Sequence, residues 1–166
     1  YIGIIEDKTS LLESRISMLI DYVKRETAEW KLNLEPVDLR SFLEEVAGVF
    51  ESEVSLENHT LVGNVDIPHG LEVPMDEDML LRALENLLKN AISYSSEGSE
   101  IRFNCTIGDG TVRIEIENEG PGISPEDLPH IFDPFVRGAR DRKGPGLGLG
   151  LATVEAVIRS HGWSID

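Results

Sequence analysis

Apolar residues recur at intervals of three, four or seven positions through the first part of the chain, and the stripe that they form is narrow. Its members are Ile5, Leu12, Ile16, Leu19, Val23 and Trp30. This spacing is typical of the seam of a coiled coil or helical hairpin, where the stripe meets a partner helix. An amphipathic helix packed on its own domain is the alternative. Pro36 ends the pattern, so we expect one coiled-coil-like helix over residues 1–33.

Broader apolar stripes predict two further helices that face a core. Asp38 can cap the first, whose stripe runs through residues 39–50. Asp76 can cap the second, whose stripe runs through residues 80–91 and whose first turn is acidic, as the helix dipole favours. Both helices belong to a globular domain that we place at residues 34–166.

Strand-like segments come in two pairs. Residues 60–67 and 71–73 flank a Pro-His-Gly turn, and we expect them to pair as a hairpin. Residues 101–107 and 112–116 alternate apolar with polar positions around a Gly-Asp-Gly turn, which predicts a second hairpin. Cys105 falls on the apolar side of that hairpin, so we interpret it as a core thiol.

Composition narrows the class of protein. The chain has 166 residues and a formal net charge of −16, which disfavours nucleic acid or an anionic membrane as a partner. Its single cysteine excludes an internal disulfide and a cysteine-based zinc site, so we expect a reducing cytoplasmic setting. No stretch is long and apolar enough to span a membrane, and we expect no signal peptide.

Glycine and leucine alternate in residues 144–151, the run GPGLGLGL. The glycines leave backbone N–H groups open to an anion, while the leucines can enter a core. Helical spacing begins at Leu151, so the loop leads into a helix N-terminus that favours phosphate, and His161-Gly162 can end that helix. A structural turn or a flexible linker is the alternative. The four cations just before the run indicate a local anion partner, with solvated surface as the alternative: Arg137, Arg140, Arg142 and Lys143.

Two asparagines, Asn86 and Asn90, lie four residues apart on the second core helix and so on one face. Burying such side chains unpaired is costly, so each should have a bound partner or point to water. Amide oxygens are hard ligands that suit Mg²⁺ together with water and phosphate oxygens. On this pair alone, a solvated helix face is an equally good interpretation.

Asn118 ends the last predicted strand and opens a glycine-framed turn that runs to Ile123. Gly120 and Gly122 would let a flat ring approach the backbone, and the side-chain oxygen of Asn118 could accept from an exocyclic amine. An ordinary tight turn is the commoner explanation for a single segment of this kind. Two phenylalanines around a proline in residues 131–135 indicate the anchored base of a loop.

Taken in order, these segments resemble the N, G1, F and G2 boxes of the sensor histidine kinase catalytic domain, a member of the GHKL ATPases. The matching segments are residues 86–91 (NLLKNA), 118–123 (NEGPGI), 131–135 (IFDPF) and 146–151 (GLGLGL). The resemblance covers about residue 38 to the end. Residues 15–39 also resemble the end of a dimerisation helix. The chain would then be a fragment that stops before the closing strands of the family.

The resemblance implies an α+β fold, namely a two-layer α/β sandwich (the Bergerat fold) with a mixed, mainly antiparallel sheet, and a lid at residues 136–146. It implies ATP and Mg²⁺ as ligands, with Asn90 as the main metal ligand, Asn86 assisting, and Asn118 at the adenine amino group. Either Lys89 or Tyr94 would join the residues around ribose and phosphates. The other implied nucleotide-binding residues are Gly120, Gly122, Ile123, Phe132, Arg137, Lys143, Gly146, Leu147, Gly148, Leu149, Gly150 and Leu151.

Two departures from the family and one difference from its ATP-hydrolysing relatives bear on the reaction. The family usually has Asp at the position of Asn118, and a neutral amide loses a charge-assisted hydrogen bond. No histidine of the chain is followed by an acidic residue on a helix, so the phosphoacceptor must lie outside it. Relatives that hydrolyse ATP carry Glu at the position of Asn86, and an amide is no general base at neutral pH, which disfavours efficient hydrolysis.

The resemblance and these features together predict an ATP-dependent protein histidine kinase domain of a two-component system, which transfers the γ-phosphate to a histidine outside this fragment. The alternatives are a nucleotide-binding regulatory module without transfer activity and a GHKL-type ATPase. The expected partners are a second copy, through the N-terminal helix, and a response regulator. We expect no nucleic acid, no direct membrane contact by this segment and a cytoplasmic location.

Overall fold

The computed structural model describes residues 31–136 and 147–166, together with Ile16. Two compact units make up the chain: Asn33–Gly122 forms one, and Tyr1–Leu32 with Ile123–Asp166 forms the other. The predicted helical seam, apart from Ile16, lies outside the described residues. So do Arg137, Arg140, Arg142, Lys143 and Gly146 of the predicted phosphate site.

Unit Asn33–Gly122 contains two long helices and five strands. In chain order they are β1 (Glu35–Asp38), α1 (Leu39–Leu56), β2 (Thr60–Asp66), β3 (Glu72–Met75), α2 (Glu77–Tyr94), β4 (Glu100–Gly108) and β5 (Thr111–Asn118). Both helices contact the sheet formed by β2, β4 and β5, α1 against β2 and β4 and α2 against β5. The unit therefore has a helical layer on a sheet, and the predicted α+β class is confirmed.

The three-stranded sheet is mixed. Its order is β2-β4-β5, with β2 parallel to β4 and β4 antiparallel to β5. The predicted hairpin of β4 and β5 is confirmed, with Ile101 opposite Asn118. Alternation along β4 buries Ile101, Phe103 and Cys105 completely. The residues between these three, such as Arg102, lie on the outer face because side chains alternate across a strand.

The predicted hairpin of residues 60–67 and 71–73 is wrong. β3 instead pairs antiparallel with β1, and β2 pairs in parallel with β4. The connection turns back to the start of α1, where Asp38 accepts from the Gly70 N–H at 2.9 Å and the Leu39 N–H donates to the Leu71 carbonyl at 2.9 Å. These two bonds direct β3 to β1 and away from β2.

Both predicted helix caps are confirmed. Asp38 accepts from the Ser41 N–H at 2.8 Å, and this bond, with the Ser41 hydroxyl next in size, lowers the pKa of Asp38. Asp76 accepts from the Met79 N–H at 3.1 Å with one carboxylate oxygen and from the Asn33 N–H at 2.9 Å with the other. Asp76 is only 8% exposed, and these two hydrogen bonds connect the start of α2 to Asn33, the first residue of the unit.

The core of this unit is aliphatic with one aromatic contact. Phe50 of α1 meets Phe103 of β4 edge to face, with ring centroids 5.7 Å apart. Cys105 lies in the same layer, as predicted, and burial raises its pKa to about 12. A thiol in this setting is a packing group and not a nucleophile.

The second unit contains a short 3-10 helix, Leu128–His130, and α3, Gly150–Ser160. The predicted end of α3 is confirmed, because the Gly162 N–H donates to the Arg159 carbonyl at 3.0 Å and His161 occupies the cap. His161 also stacks on Trp163, with centroids 4.6 Å apart. None of the helices in the described part of the chain has the length and apolar character that a bilayer crossing requires.

Candidate functional site

Helix α2 carries the two asparagines whose spacing indicated a metal site. Asn86 and Asn90 are both half-buried, one turn apart on the same side of the helix. Lys89 is exposed, and its amine lies 3.6 Å from the Glu85 carboxylate. An exposed ion pair of this kind contributes little, so a phosphate could displace Glu85 from Lys89 at small cost.

The turn after β5 is fixed to the C-terminal end of α2. The Ser96 N–H donates to the Glu119 carbonyl at 2.7 Å. At Gly120 the backbone approaches α2 so closely that a Cβ atom would stand 2.1 Å from the Tyr94 carbonyl oxygen. No other residue type fits there without moving the backbone, so glycine is required for this contact. The structure thus brings Tyr94 and Gly120, two predicted site residues, together.

Asn118 is the last residue of β5, and its side chain is exposed. Its amide nitrogen lies 3.3 Å from the point where a Cβ of Gly120 would be. Within the described residues, nothing holds this amide by a hydrogen bond. The backbone of Asn118 is fixed by the β4 ladder while its amide group is open to a ligand. Gly122 closes the turn and is exposed as well.

In the other unit, the segment after the turn reaches the glycine-rich run. The Phe135 N–H donates to the Gly148 carbonyl at 2.8 Å, so two of the predicted segments, 131–135 and 146–151, are in contact. Phe135 has φ of +65°, a strained conformation for a bulky residue that costs roughly 1–2 kcal/mol. Phe132 is half-buried and Ile123 is 54% exposed.

Helix α3 begins directly in the glycine-rich run, as predicted. Leu149 is the N-cap and is only 1% exposed, which confirms that a leucine of the run enters the core. Leucine supplies no side-chain acceptor to the first turn of this helix. Thr153 returns its hydroxyl to the Leu149 carbonyl at 2.9 Å. Gly150 opens the helix, and its neighbours Leu147, Gly148 and Leu151 are half-buried.

One feature of this segment was not predicted from the sequence. His130 Nδ1 and a carboxylate oxygen of Asp133 are 2.8 Å apart, and both side chains are mostly exposed. The pair closes the turn that follows the 3-10 helix and lies just before Phe135. The spacing of three residues was the available signal, but it indicates a contact only once a helical turn is assigned there.

Comparison with known proteins places the chain in a family. The model of the histidine kinase-, DNA gyrase B- and HSP90-like ATPase family matches residues 75–166. This match covers more than half of the chain, so the chain belongs to that family. The predicted resemblance to the catalytic domain of sensor histidine kinases is confirmed, because the relatives and structural neighbours are proteins of that type.

Individual relatives agree with the family match. The chain is 34% identical over 156 residues to the sensor-like histidine kinase SenX3 of Mycolicibacterium smegmatis, an alignment that covers 93% of this chain and 40% of that protein. Full-length ShkA in complex with AMPPNP superposes with a TM-score of 0.79 at 25% identity, over 98% of this chain and 34% of that one.

A third similar structure is histidine kinase ThkA in complex with response regulator protein TrrA. It superposes with a TM-score of 0.72 at 26% identity, over 98% of this chain and 44% of that chain. The chain spans about two fifths of the length of the SenX3 relatives that it matches.

Proposed function

We propose that this chain is the ATP-binding catalytic part of a sensor histidine kinase of a two-component system, which transfers the γ-phosphate of ATP to a histidine outside the fragment. The observation that carries the proposal is the contact of Gly120 with Tyr94, since it holds the backbone next to Asn118 beside the helix that presents Asn86 and Asn90. Family membership and the sensor histidine kinase relatives support it.

The asparagine pair fits a magnesium ion. Its two amide oxygens are hard, neutral donors on one face of α2, and both side chains are half-buried, so waters and phosphate oxygens would complete the coordination. Asn90 is the proposed main ligand and Asn86 the assisting one. Bound there, Mg²⁺ would neutralise charge on the phosphates.

The other proposed roles follow the resemblance. Asn118 contacts the base, and Gly120, Gly122, Ile123 and Phe132 line it. Phosphates and ribose are contacted by further residues, namely Lys89 or Tyr94, Arg137, Lys143, Gly146, Leu147, Gly148, Leu149, Gly150 and Leu151. Support comes from the start of α3 directly in the glycine-rich run, from the close contact of Gly120 with the C-terminal end of α2, and from the likeness to ShkA in its complex with the nucleotide analogue AMPPNP.

Transfer to a neutral imidazole needs no general base on the kinase. The ring nitrogen attacks the γ-phosphorus with its lone pair, a P–N bond forms, and the bond to the bridging oxygen of ADP breaks. The chain has to position the phosphates and offset their charge. Asn86, an amide where a hydrolytic relative has Glu, is compatible with transfer and unsuited to activating water.

The proposed domains are a distal dimerisation helix at residues 1–33 and a catalytic domain at residues 34–166. The helix would join two copies, and the kinase would act in the cytoplasm. A response regulator is the proposed downstream partner, supported by the ThkA–TrrA complex.

Transfer is tested with ATP labelled at the γ-phosphate, Mg²⁺ and a separately purified dimerisation segment of a SenX3-type relative. We expect label on the segment that is stable in base and labile in acid, as a phosphohistidine is. The same segment with its histidine replaced by Gln is the control and should stay unlabelled. Binding of ATP without any labelling would contradict the kinase assignment.

The same purified chain and segment also distinguish the two alternative functions. Asn118 in place of the usual Asp favours a regulatory module that binds nucleotide without transfer, and such a module would bind ADP in calorimetry and leave the segment unlabelled. A GHKL-type ATPase would release phosphate steadily from the chain alone, which Asn86 disfavours.

A further inference from the structure

We propose that the base site at Asn118 accepts 6-oxopurine nucleotides, those of inosine and guanosine, alongside adenine nucleotides. The inference rests on the proposed function, because that function places the base at Asn118. It goes further by assigning to this one side chain the choice between purines.

The backbone that presents Asn118 is held on both sides. Asn118 is opposite the fully buried Ile101 in the β4–β5 ladder. One residue later the Glu119 carbonyl accepts from Ser96 at 2.7 Å, and two residues later Gly120 lies against the Tyr94 carbonyl. The Cα of Asn118 therefore has little freedom, and recognition depends on what its side chain can offer.

That side chain can offer either of two patterns. The amide has an acceptor oxygen and a donor NH₂ group, and rotation about the Cβ–Cγ bond exchanges their places. Because nothing in the described part of the chain holds the Asn118 amide, neither orientation is selected in advance. The Asn118 side chain can therefore donate or accept a hydrogen bond at a given position of the base, whereas an ionised carboxylate there would only accept.

The purine edges differ in the same way. Adenine presents an amino donor at position 6 and an acceptor at N1, while inosine and guanosine present a carbonyl acceptor at position 6 and an N1–H donor. The Asn118 amide can match both edges by reversing. A carboxylate oxygen that meets position 6 alone would accept from the adenine amino group but would oppose the 6-carbonyl, since both would be acceptors.

Two carboxylates lie next to Asn118 in the sequence, but they do not make the base site one that only accepts hydrogen bonds. Glu117 and Glu119 flank Asn118, and both are drawn towards Arg102 on the outer face of the sheet, with N–O distances of 3.6 and 3.8 Å. Arg102 is also 3.2 Å from Glu100. The flanking acids are therefore engaged with a cation, and the neutral amide of Asn118 is left to meet the base.

The test is calorimetric titration of the purified chain with ADP, IDP and GDP in the presence of Mg²⁺. IDP is the decisive probe because it has the 6-oxo edge without the additional 2-amino group of guanine. We expect the Kd for IDP to lie within about tenfold of the Kd for ADP, since a reversed amide replaces one matched edge by another. Asn118→Asp should favour ADP over IDP by about a hundredfold.

The control is Asn64→Asp on the exposed edge strand β2, which adds the same charge elsewhere and should leave the ADP to IDP ratio unchanged. A wild-type chain that binds ADP but discriminates against IDP by more than a hundredfold overturns the inference and leaves the proposed function standing. So does an unchanged ratio in Asn118→Asp. Failure of ADP to bind at all overturns the proposed function and this inference with it.

Discussion

Substitution of Gly120 by Ala tests the close contact between the turn after β5 and the C-terminal end of α2, on which the site depends. We call this contact the corner. An alanine Cβ would stand 2.1 Å from the Tyr94 carbonyl oxygen and 3.1 Å from the Tyr94 carbonyl carbon. To reach even 3.0 Å from the oxygen, the turn must move by about 0.9 Å. Both atoms belong to the backbone, so no side chain can rotate away to relieve the contact.

The cost can be estimated from two contributions. Forcing an extra carbon into a closely packed place costs roughly 1–3 kcal/mol. A moving turn also weakens the bond between Ser96 and Glu119, which is worth about 1 kcal/mol. We therefore expect Gly120→Ala to lower the free energy of unfolding by roughly 2–4 kcal/mol, which is a shift of about 1–2 M in the urea midpoint.

Urea unfolding followed by circular dichroism measures the stability, and hydrogen exchange at the Ser96 amide measures the corner itself. Gly48→Ala is the matched control, because a Cβ at this site in α1 meets nothing within 4 Å, and it should raise stability by roughly 0.5–1 kcal/mol. Unchanged stability together with unchanged Ser96 protection in Gly120→Ala would show that the corner is not closely packed.

Three further outcomes are expected. Asp76→Ala should lower the free energy of unfolding by about 2 kcal/mol in urea titrations, because it removes the α2 cap and the acceptor for the Asn33 N–H. Asp78→Ala, at an exposed position of the same turn, is the control and should cost about 0.5 kcal/mol or less. Equal effects of the two variants would contradict the capping role of Asp76. Cys105 should react with a thiol reagent at pH 8 only after unfolding, and immediate labelling of the folded chain would contradict its burial. Because its pKa in the folded chain is raised to about 12, the thiol ionises first in the unfolded chain, so the free energy of unfolding should fall as pH rises above about 8.5. Phosphate release from ATP should stay near background in a coupled assay, since Asn86 is no base, and rapid steady release would favour the ATPase alternative.

The sequence predicted the elements whose signals are local. Asp38 and Asp76 have cap positions that depend only on the next three residues, and the β4–β5 hairpin depends on a turn between two alternating segments. The pairing of β2 was predicted wrongly because alternation identifies a strand without naming its partner, and the partner of Thr60 is Glu100, far along the chain.

The candidate site divides in the same way. The spacing of Asn86 and Asn90 places them on one face of a helix without further knowledge. The reason for glycine at position 120 depends on the Tyr94 carbonyl, a tertiary neighbour that the spacing of glycines cannot reveal. The contact between Phe135 and Gly148 likewise joins two segments that the sequence shows only as separate motifs.

The proposed role of Asn90, to hold magnesium-bound ATP for transfer, is decided by comparing the wild-type chain with Asn90→Ala. The Kd for ATP is measured with and without Mg²⁺, and label transfer to the histidine-bearing segment is followed in parallel. We expect Mg²⁺ to tighten binding by about tenfold or more in the wild type only, and Asn90→Ala to lose transfer. Magnesium-dependent binding and transfer at wild-type levels in Asn90→Ala would show that Asn90 does not hold the metal.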